Sequence, residues 1–191
     1  MNLDLIKELA PDVVIAATGA TPYMPEIQGA EEAHVINAWQ VLEGKANIGG
    51  SVVIADWRCD WVGLGLAELL VKQGCHVRLA VNGMVAGQNI PQYARDAWIG
   101  RLHKLGVEII THVRVVGVDS EDVYFQHTLS GEAVILNSVD TLVTALGHSA
   151  ETKLEEDLSK HGISHHIIGD CLSPRTVEEA ILEGLNVGIK V

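Results

Sequence analysis

The stretch from Ser51 to Val81 constrains this chain more than any other. Ser51 to Ala55 reads as a strand, and His76 to Val81, which carries Arg78, as the next. Mostly apolar segments of that length fit strands covered on both faces, as in a parallel sheet. Between them, residues 61–73 place Val62, Leu66, Leu69 and Leu70 on one helical face. Asp60 stands as the N-cap and Gly74 as the C-terminal stop. A strand–helix–strand unit of about 30 residues is the size a right-handed parallel crossover requires. The chain therefore predicts an α/β fold.

The rest of the pattern is consistent with that unit. Residues 3–10 read as a short helix ended by Pro11, and Val13 to Ala17 as a buried strand that breaks at Thr18-Gly19. Residues 20–30 hold Pro22, Pro25 and Gly29 and read as an irregular connector. His34 to Ile36 reads as a short strand and Ala38 to Leu42 as a helical turn. After a loop over 82–90, Pro91 opens a helix through Lys104 that Gly106 stops. Val107 to Thr111, Val113 to Val118, Asp122 to Gln126 and Ala133 to Leu136 predict a small antiparallel meander. Thr141 to Ala145 is another buried strand. Thr152 to Lys160 predicts a helix, His166 to Ile168 a strand, and Thr176 to Val187 a last helix. One internal echo stands out: an apolar strand leads into Ala-Thr-Gly at 17–19, and another into Ala-Leu-Gly at 145–147.

Charge and cysteine usage narrow the function. The 191 residues carry 13 Lys plus Arg against 25 Asp plus Glu, a net charge of −12. That balance argues against nucleic acid or an anionic membrane as partner, since both need a basic face. With 48% apolar and 20% charged residues the chain is globular rather than disordered. Cys59, Cys75 and Cys171 are an odd set without CxxC spacing, so neither a disulfide framework nor a zinc site is expected. No apolar run reaches the roughly 18 residues of a membrane span. The N-terminus lacks a basic region followed by an apolar stretch. A cytoplasmic chain is the expectation.

In a dinucleotide-binding domain the pyrophosphate sits on the helix N-terminus of the first strand–helix turn. Its glycines serve a tight turn, close backbone approach and helix–strand packing. Here the turn reads Asp56-Trp57-Arg58-Cys59-Asp60-Trp61-Val62-Gly63. Gly63 suits the packing position, and side chains fill the two earlier ones. Asp60 sets an anion beside an anionic diphosphate, and Arg58 is the one favourable charge. The next strand ends in Asn82, which offers the ribose less than the usual acid does. NAD(P)H is therefore not expected to bind at Arg58, Gly63 and Asn82. The domain is expected to have kept its fold and lost this ligand, with Trp57 and Trp61 filling the emptied cleft.

Three segments carry a family resemblance. Asp12 to Pro25 (DVVIAATGATPYMP), followed by Ile27-Gln28-Gly29, resembles the crossover by which two-dinucleotide-domain flavoproteins leave their flavin domain. Asp140 to Gly147 (DTLVTALG) resembles the return, and Ile168 to Cys171 with Pro174-Arg175 resembles the terminal flavin-domain segment. Over essentially its whole length the chain is similar to the C-terminal part of NADH:flavin oxidoreductases of the trimethylamine dehydrogenase and 2,4-dienoyl-CoA reductase group. The resemblance implies a Rossmann-like domain at 48–147, a parallel sheet with its small meander. It also implies that 1–47 and 148–191 form the remainder of an FAD- or ADP-binding domain.

It further implies an N-terminal barrel carrying FMN and a 4Fe-4S cluster, which these residues do not contain. No GxGxxG precedes the strand at 13–17, and three scattered cysteines cannot hold a four-cysteine cluster. The expectation is a C-terminal fragment, inactive alone, of a parent oxidoreductase of the amine dehydrogenase type. Its partners would be its own barrel and an electron-transfer flavoprotein, with homo-oligomer formation through the exposed half of a split domain. By the same resemblance Asp170 bonds the ribityl or ribose of the nucleotide, Gly169 precedes it, and Thr18 and Gly19 bring backbone near the ligand. Two alternatives stay open. One is an NAD(P)H-binding reductase module delivering hydride to a flavin. The other is a non-catalytic docking surface for an electron-transfer flavoprotein. No residue is marked as catalytic and no spacing marks a metal: His165 and His166 are adjacent strand positions and face opposite ways. Cys171 reads as a small buried hydrophobe.

Overall fold

The computed structural model describes residues 3–31 and 34–191. The chain forms two compact units, one from residues up to Tyr23 together with Gly147–Val191, the other Met24–Leu146.

The central unit is built on five parallel strands in the order β3-β10-β4-β5-β6. These are β3 (Val35–Asn37), β4 (Ser51–Asp56), β5 (His76–Val81), β6 (Glu108–Ile110) and β10 (Thr141–Ala145). Alternate residues face opposite cores. Val52 and Ile54 of β4 and Val77, Leu79 and Val81 of β5 join the core that also holds Val41, Leu66, Leu70 and Leu102 of helices α2 (Ala38–Leu42), α3 (Trp61–Lys72) and α4 (Gln92–Lys104). Val53, Ala55, Ala80 and Leu142 face a second core closed by the antiparallel sheet β7 (Val113–Val118), β8 (Val123–His127) and β9 (Ala133–Leu136). Burial on both faces explains why β4, β5 and β10 are mostly apolar, with Asp56, Arg78, Thr141 and Thr144 as their buried polar residues.

Asn37 starts α2 with a capping box shared with Gln40, and Asp60 caps α3 by accepting from the Val62 amide at 2.9 Å. The α3 face differs from the predicted one. Leu64, Leu66, Ala67 and Leu70 are buried, whereas Leu69 is 36% exposed. The strand β6 pairs parallel with β5 through Arg78↔Glu108, so it extends the main sheet and is not part of the meander. Residues 24–47, grouped from sequence with the other segment, lie in this central unit because β3 pairs with β10 in register Leu142↔Val35.

The other unit contains α1 (Leu3–Leu9), β1 (Val14–Ala16), β2 (Ala20–Pro22), β11 (His148–Ala150), α5 (Lys153–Lys160), β12 (His165–Ile167) and α6 (Val177–Gly188). The strands β1 and β12 pair parallel, and Ile6, Val14 and Leu158 form their small core. The connector over 20–30 is not wholly irregular. Ala20–Pro22 pairs antiparallel with His148–Ala150, so the two echoed strand exits meet as a short ribbon. Pro22 is tolerated because it ends a strand that has one partner only. Gly19 (φ +78°) and Gly147 (φ +105°) both turn through the left-handed region at those exits. Among the described residues no helix is long and apolar enough to cross a membrane.

Candidate functional site

Each unit holds one place that the sequence marks. In the central unit it is the turn between β4 and α3. Asp56 ends β4 with no exposure to solvent, and its Oδ1 accepts the Cys59 amide at 2.8 Å. Its Oδ2 has no hydrogen-bond partner. Burial, reinforced by the charge of Asp60 and opposed by the Cys59 amide, pushes the Asp56 carboxyl up to about 7. Gly63 lies directly against it: a Cβ there would fall 2.1 Å from Asp56 Oδ2. The helix thus approaches the strand as closely as a dinucleotide fold's packing glycine allows. The other glycine positions are replaced. Cys59 adopts φ +48°, a conformation that favours glycine. Its thiol is buried and pushed up to about 11, first by desolvation and then by Asp56. That makes it a packed group rather than a nucleophile.

Arg58 and Asn82 each have a partner within the chain. Arg58 Nε lies 3.4 Å from Asp60 Oδ2. Asn82 Oδ1 accepts the Cys59 thiol at 3.4 Å. The two tryptophans do not fill the turn as expected. Trp57 packs with the meander-side core under the guanidinium of Arg114, 4.6 Å from its ring centre. Trp61 is 49% exposed, tilted against Trp98 of α4 at 5.9 Å. The loop over 82–90 covers the turn instead. Asn89 donates its amide to Cys59 O at 3.0 Å and its side chain to Arg58 O at 2.6 Å, while Ala86 and Ile90 sink into the helix-side core.

In the other unit, Ala17, Gly19, Ile168, Gly169, Asp170 and Arg175 help line a cleft of about 400 Å³ that continues to the start of α6. Gly169 has φ +70° and opens a single 3-10 turn through Cys171. Its amide donates to Glu183 at 2.7 Å, and Arg175 also pairs with Glu183. Asp170 does not cap α6. Thr176 does so in a capping box with Glu179, while Asp170 Oδ1 accepts the Arg175 amide at 3.3 Å. The half-buried Asp170 carboxylate therefore lines the cleft with acceptor capacity remaining. Thr18 stands beside Gly19, but its hydroxyl donates to Glu151 O at 2.9 Å, which ties the two strand exits together. Cys171 is buried, with its thiol directed at Ala16 O and Ile168 O.

So Gly19, Gly169 and Asp170 share one cleft, while Arg58, Gly63 and Asn82 belong to the turn of the central unit. The sequence marks Arg175 only through the Pro174-Arg175 pair of the resemblance and does not mark Glu183; together they brace the Gly169 turn. Among the described residues no group of three or more His, Cys, Asp or Glu could hold a metal ion.

A parallel sheet with a β4–α3 turn of this kind and a packing glycine beneath it define an α/β fold of the dinucleotide-binding class. The family model described as pyridine nucleotide-disulphide oxidoreductase matches residues 6–170, and the chain belongs to that family. The chain's relatives include reductases, a dehydrogenase and a demethylase. It is 28% identical over 186 residues to a bilirubin reductase of Mediterraneibacter gnavus, covering 95% of this chain and 28% of that protein. A probable N-methylproline demethylase of Rhizobium meliloti is 36% identical over 121 residues, covering 61% of this chain and 17% of the relative. The solved structure of a 2-naphthoyl-CoA reductase superposes with a TM-score of 0.88 at 28% identity, covering 100% of this chain and 28% of that one. The chain thus spans less than a third of the length of each.

Proposed function

We propose that this chain is the C-terminal nucleotide-domain portion of a flavin-dependent oxidoreductase, and that the cleft at Gly19, Gly169 and Asp170 holds the ADP moiety of FAD, or ADP itself. The observation that carries the reading is the cleft: Gly169 in the left-handed region, the Asp170 carboxylate beside it, and the start of α6 at its rim. The residues fit the group. Asp170 supplies the acceptor that a ribose diol needs. A Cβ on Gly19 would meet nothing within 4 Å, which leaves room for a ligand against its backbone. The start of the 12-residue α6 lines the cleft and would offer its positive end to phosphates bound there. A flavin bound there would accept and pass on electrons. What these residues do is hold its nucleotide end and fix its orientation.

The parent reading places FMN and the 4Fe-4S cluster in a barrel outside these residues, and the cluster chemistry and substrate selection with them. The amine dehydrogenase type, with an electron-transfer flavoprotein as acceptor, is supported by the N-methylproline demethylase similarity and by the altered β4–α3 turn. A reductase parent is the second reading, supported by the similarity to bilirubin and naphthoyl-CoA reductases over nearly the whole chain. The test is a titration with FAD and with ADP, followed by flavin fluorescence anisotropy and calorimetry, for the chain and its Asp170→Ala variant. A charge-assisted ribose contact is worth about 1.5–3 kcal/mol, so the variant should bind at least tenfold more weakly. Equal affinity in the two proteins refutes the assignment.

A further inference from the structure

Membership of a pyridine nucleotide family implies a nicotinamide dinucleotide at the β4–α3 turn of the central unit. The residues present do not fit one, and we propose that this turn is closed to NADH and NADPH by the chain's own side chains and by the loop over 82–90. This does not rest on the flavin reading, which concerns the other unit.

Four observations support the closure. The first is length: Asp56 to Gly63 occupies eight positions, where the G-x-G-x-x-G turn ends on its third glycine at the sixth. Two additional residues must be accommodated where a pyrophosphate would lie. The second is the fate of the amides. A dinucleotide turn offers its backbone N–H groups to phosphate. Here the Trp57 amide donates to Ala145 O at 3.2 Å, the Cys59 amide to Asp56 Oδ1 at 2.8 Å, and the Val62 amide to Asp60 Oδ1 at 2.9 Å. Two aspartates thus stand in for the two phosphates.

The third observation is charge. Asp60 keeps its carboxylate at the helix N-terminus, and the one cation of the turn, Arg58, is drawn to Asp60 at 3.4 Å. A diphosphate would have to displace one anion and detach the cation from it. The fourth is the cover. Asn89 bonds both Arg58 O and Cys59 O, and Cys59 bonds Asn82, the residue at the ribose-recognising strand end. Ala86 and Ile90 anchor that loop in the core, being 0% and 5% exposed. Opening the turn would expose both. The closure is therefore a packed part of the fold, and reducing equivalents must enter or leave the parent enzyme by a carrier that does not bind at this turn.

The test is calorimetric titration of the chain with NADH and NADPH, joined to amide hydrogen exchange resolved over residues 57–63 and 82–90. The expected result is no saturable binding tighter than about 1 mM that slows exchange in these segments. Binding that protects other segments alone leaves the turn closed and supports the proposal. Saturable binding of either nucleotide below about 1 mM with slowed exchange at Cys59 and Val62 overturns it.

Discussion

Replacing Asp56 by Asn tests the central turn through its proton. In the folded chain Asp56 is fully buried and titrates at about 7, against an ordinary value of 3.8. Between those two values the folded state holds a proton that the unfolded state has released. Stability therefore falls as pH rises through this window. The contribution is fully present below about pH 4 and lost above about pH 7. At about 1.4 kcal/mol for each pH unit between 3.8 and about 7, the loss is about 4 kcal/mol. Asp56→Asn keeps an acceptor for the Cys59 amide and carries no charge at any pH. All four tryptophans, Trp39, Trp57, Trp61 and Trp98, lie in Met24–Leu146, so fluorescence-detected urea unfolding reads this unit. The variant should match the chain within about 1 kcal/mol near pH 4 and exceed its stability by several kcal/mol near pH 8. Parallel pH profiles for the two proteins refute the burial of a protonated acid at this position.

Further predictions concern the same turn and the cleft of the other unit. Gly63→Ala sets a methyl 2.1 Å from Asp56 Oδ2. The overpacking cost of about 1–3 kcal/mol outweighs the roughly 1 kcal/mol of gained helix propensity, so the urea midpoint of the central unit should fall, and a rise would refute the close approach. Asp60→Ala removes the α3 cap and should cost about 1 kcal/mol in the same assay, with Asp60→Asn recovering most of it. Gly169→Ala forces a side chain to φ +70° and should destabilise the other unit by about 1–2 kcal/mol, seen as faster amide exchange in α6.

The parallel sheet was legible because its physics leaves a plain mark. Val52 to Ala55 are apolar at every position, and Val77 to Val81 and Leu142 to Ala145 at all but Arg78 and Thr144, as suits strands covered on both faces. Asp60 and Gly63 were legible for a similar reason, since a cap and a close helix–strand contact each admit few residue types. Other features depend on contacts distant in sequence. The ribbon of Ala20–Pro22 with His148–Ala150 joins segments more than 120 residues apart, and proline and glycine nearby hide it. Glu108–Ile110 is too short to show by its own pattern whether it joins the main sheet or the meander. The tryptophans of the turn were read as its filling because of their bulk. The filling is instead the loop over 82–90, in which the buried Ala86 and Ile90 stand too far apart to form a helical or strand pattern. The burial of Asp56 has no sequence signal: an acid after an apolar run reads as the exposed end of a strand.

Crystals of the chain grown with FAD would locate the nucleotide. The expected electron density shows an adenosine ribose within hydrogen-bonding distance of Asp170, in the cleft lined by Gly19 and Gly169, with the β4–α3 turn unchanged. A nucleotide seated on the α3 N-terminus, with Asp60 displaced and the 82–90 loop lifted, contradicts it.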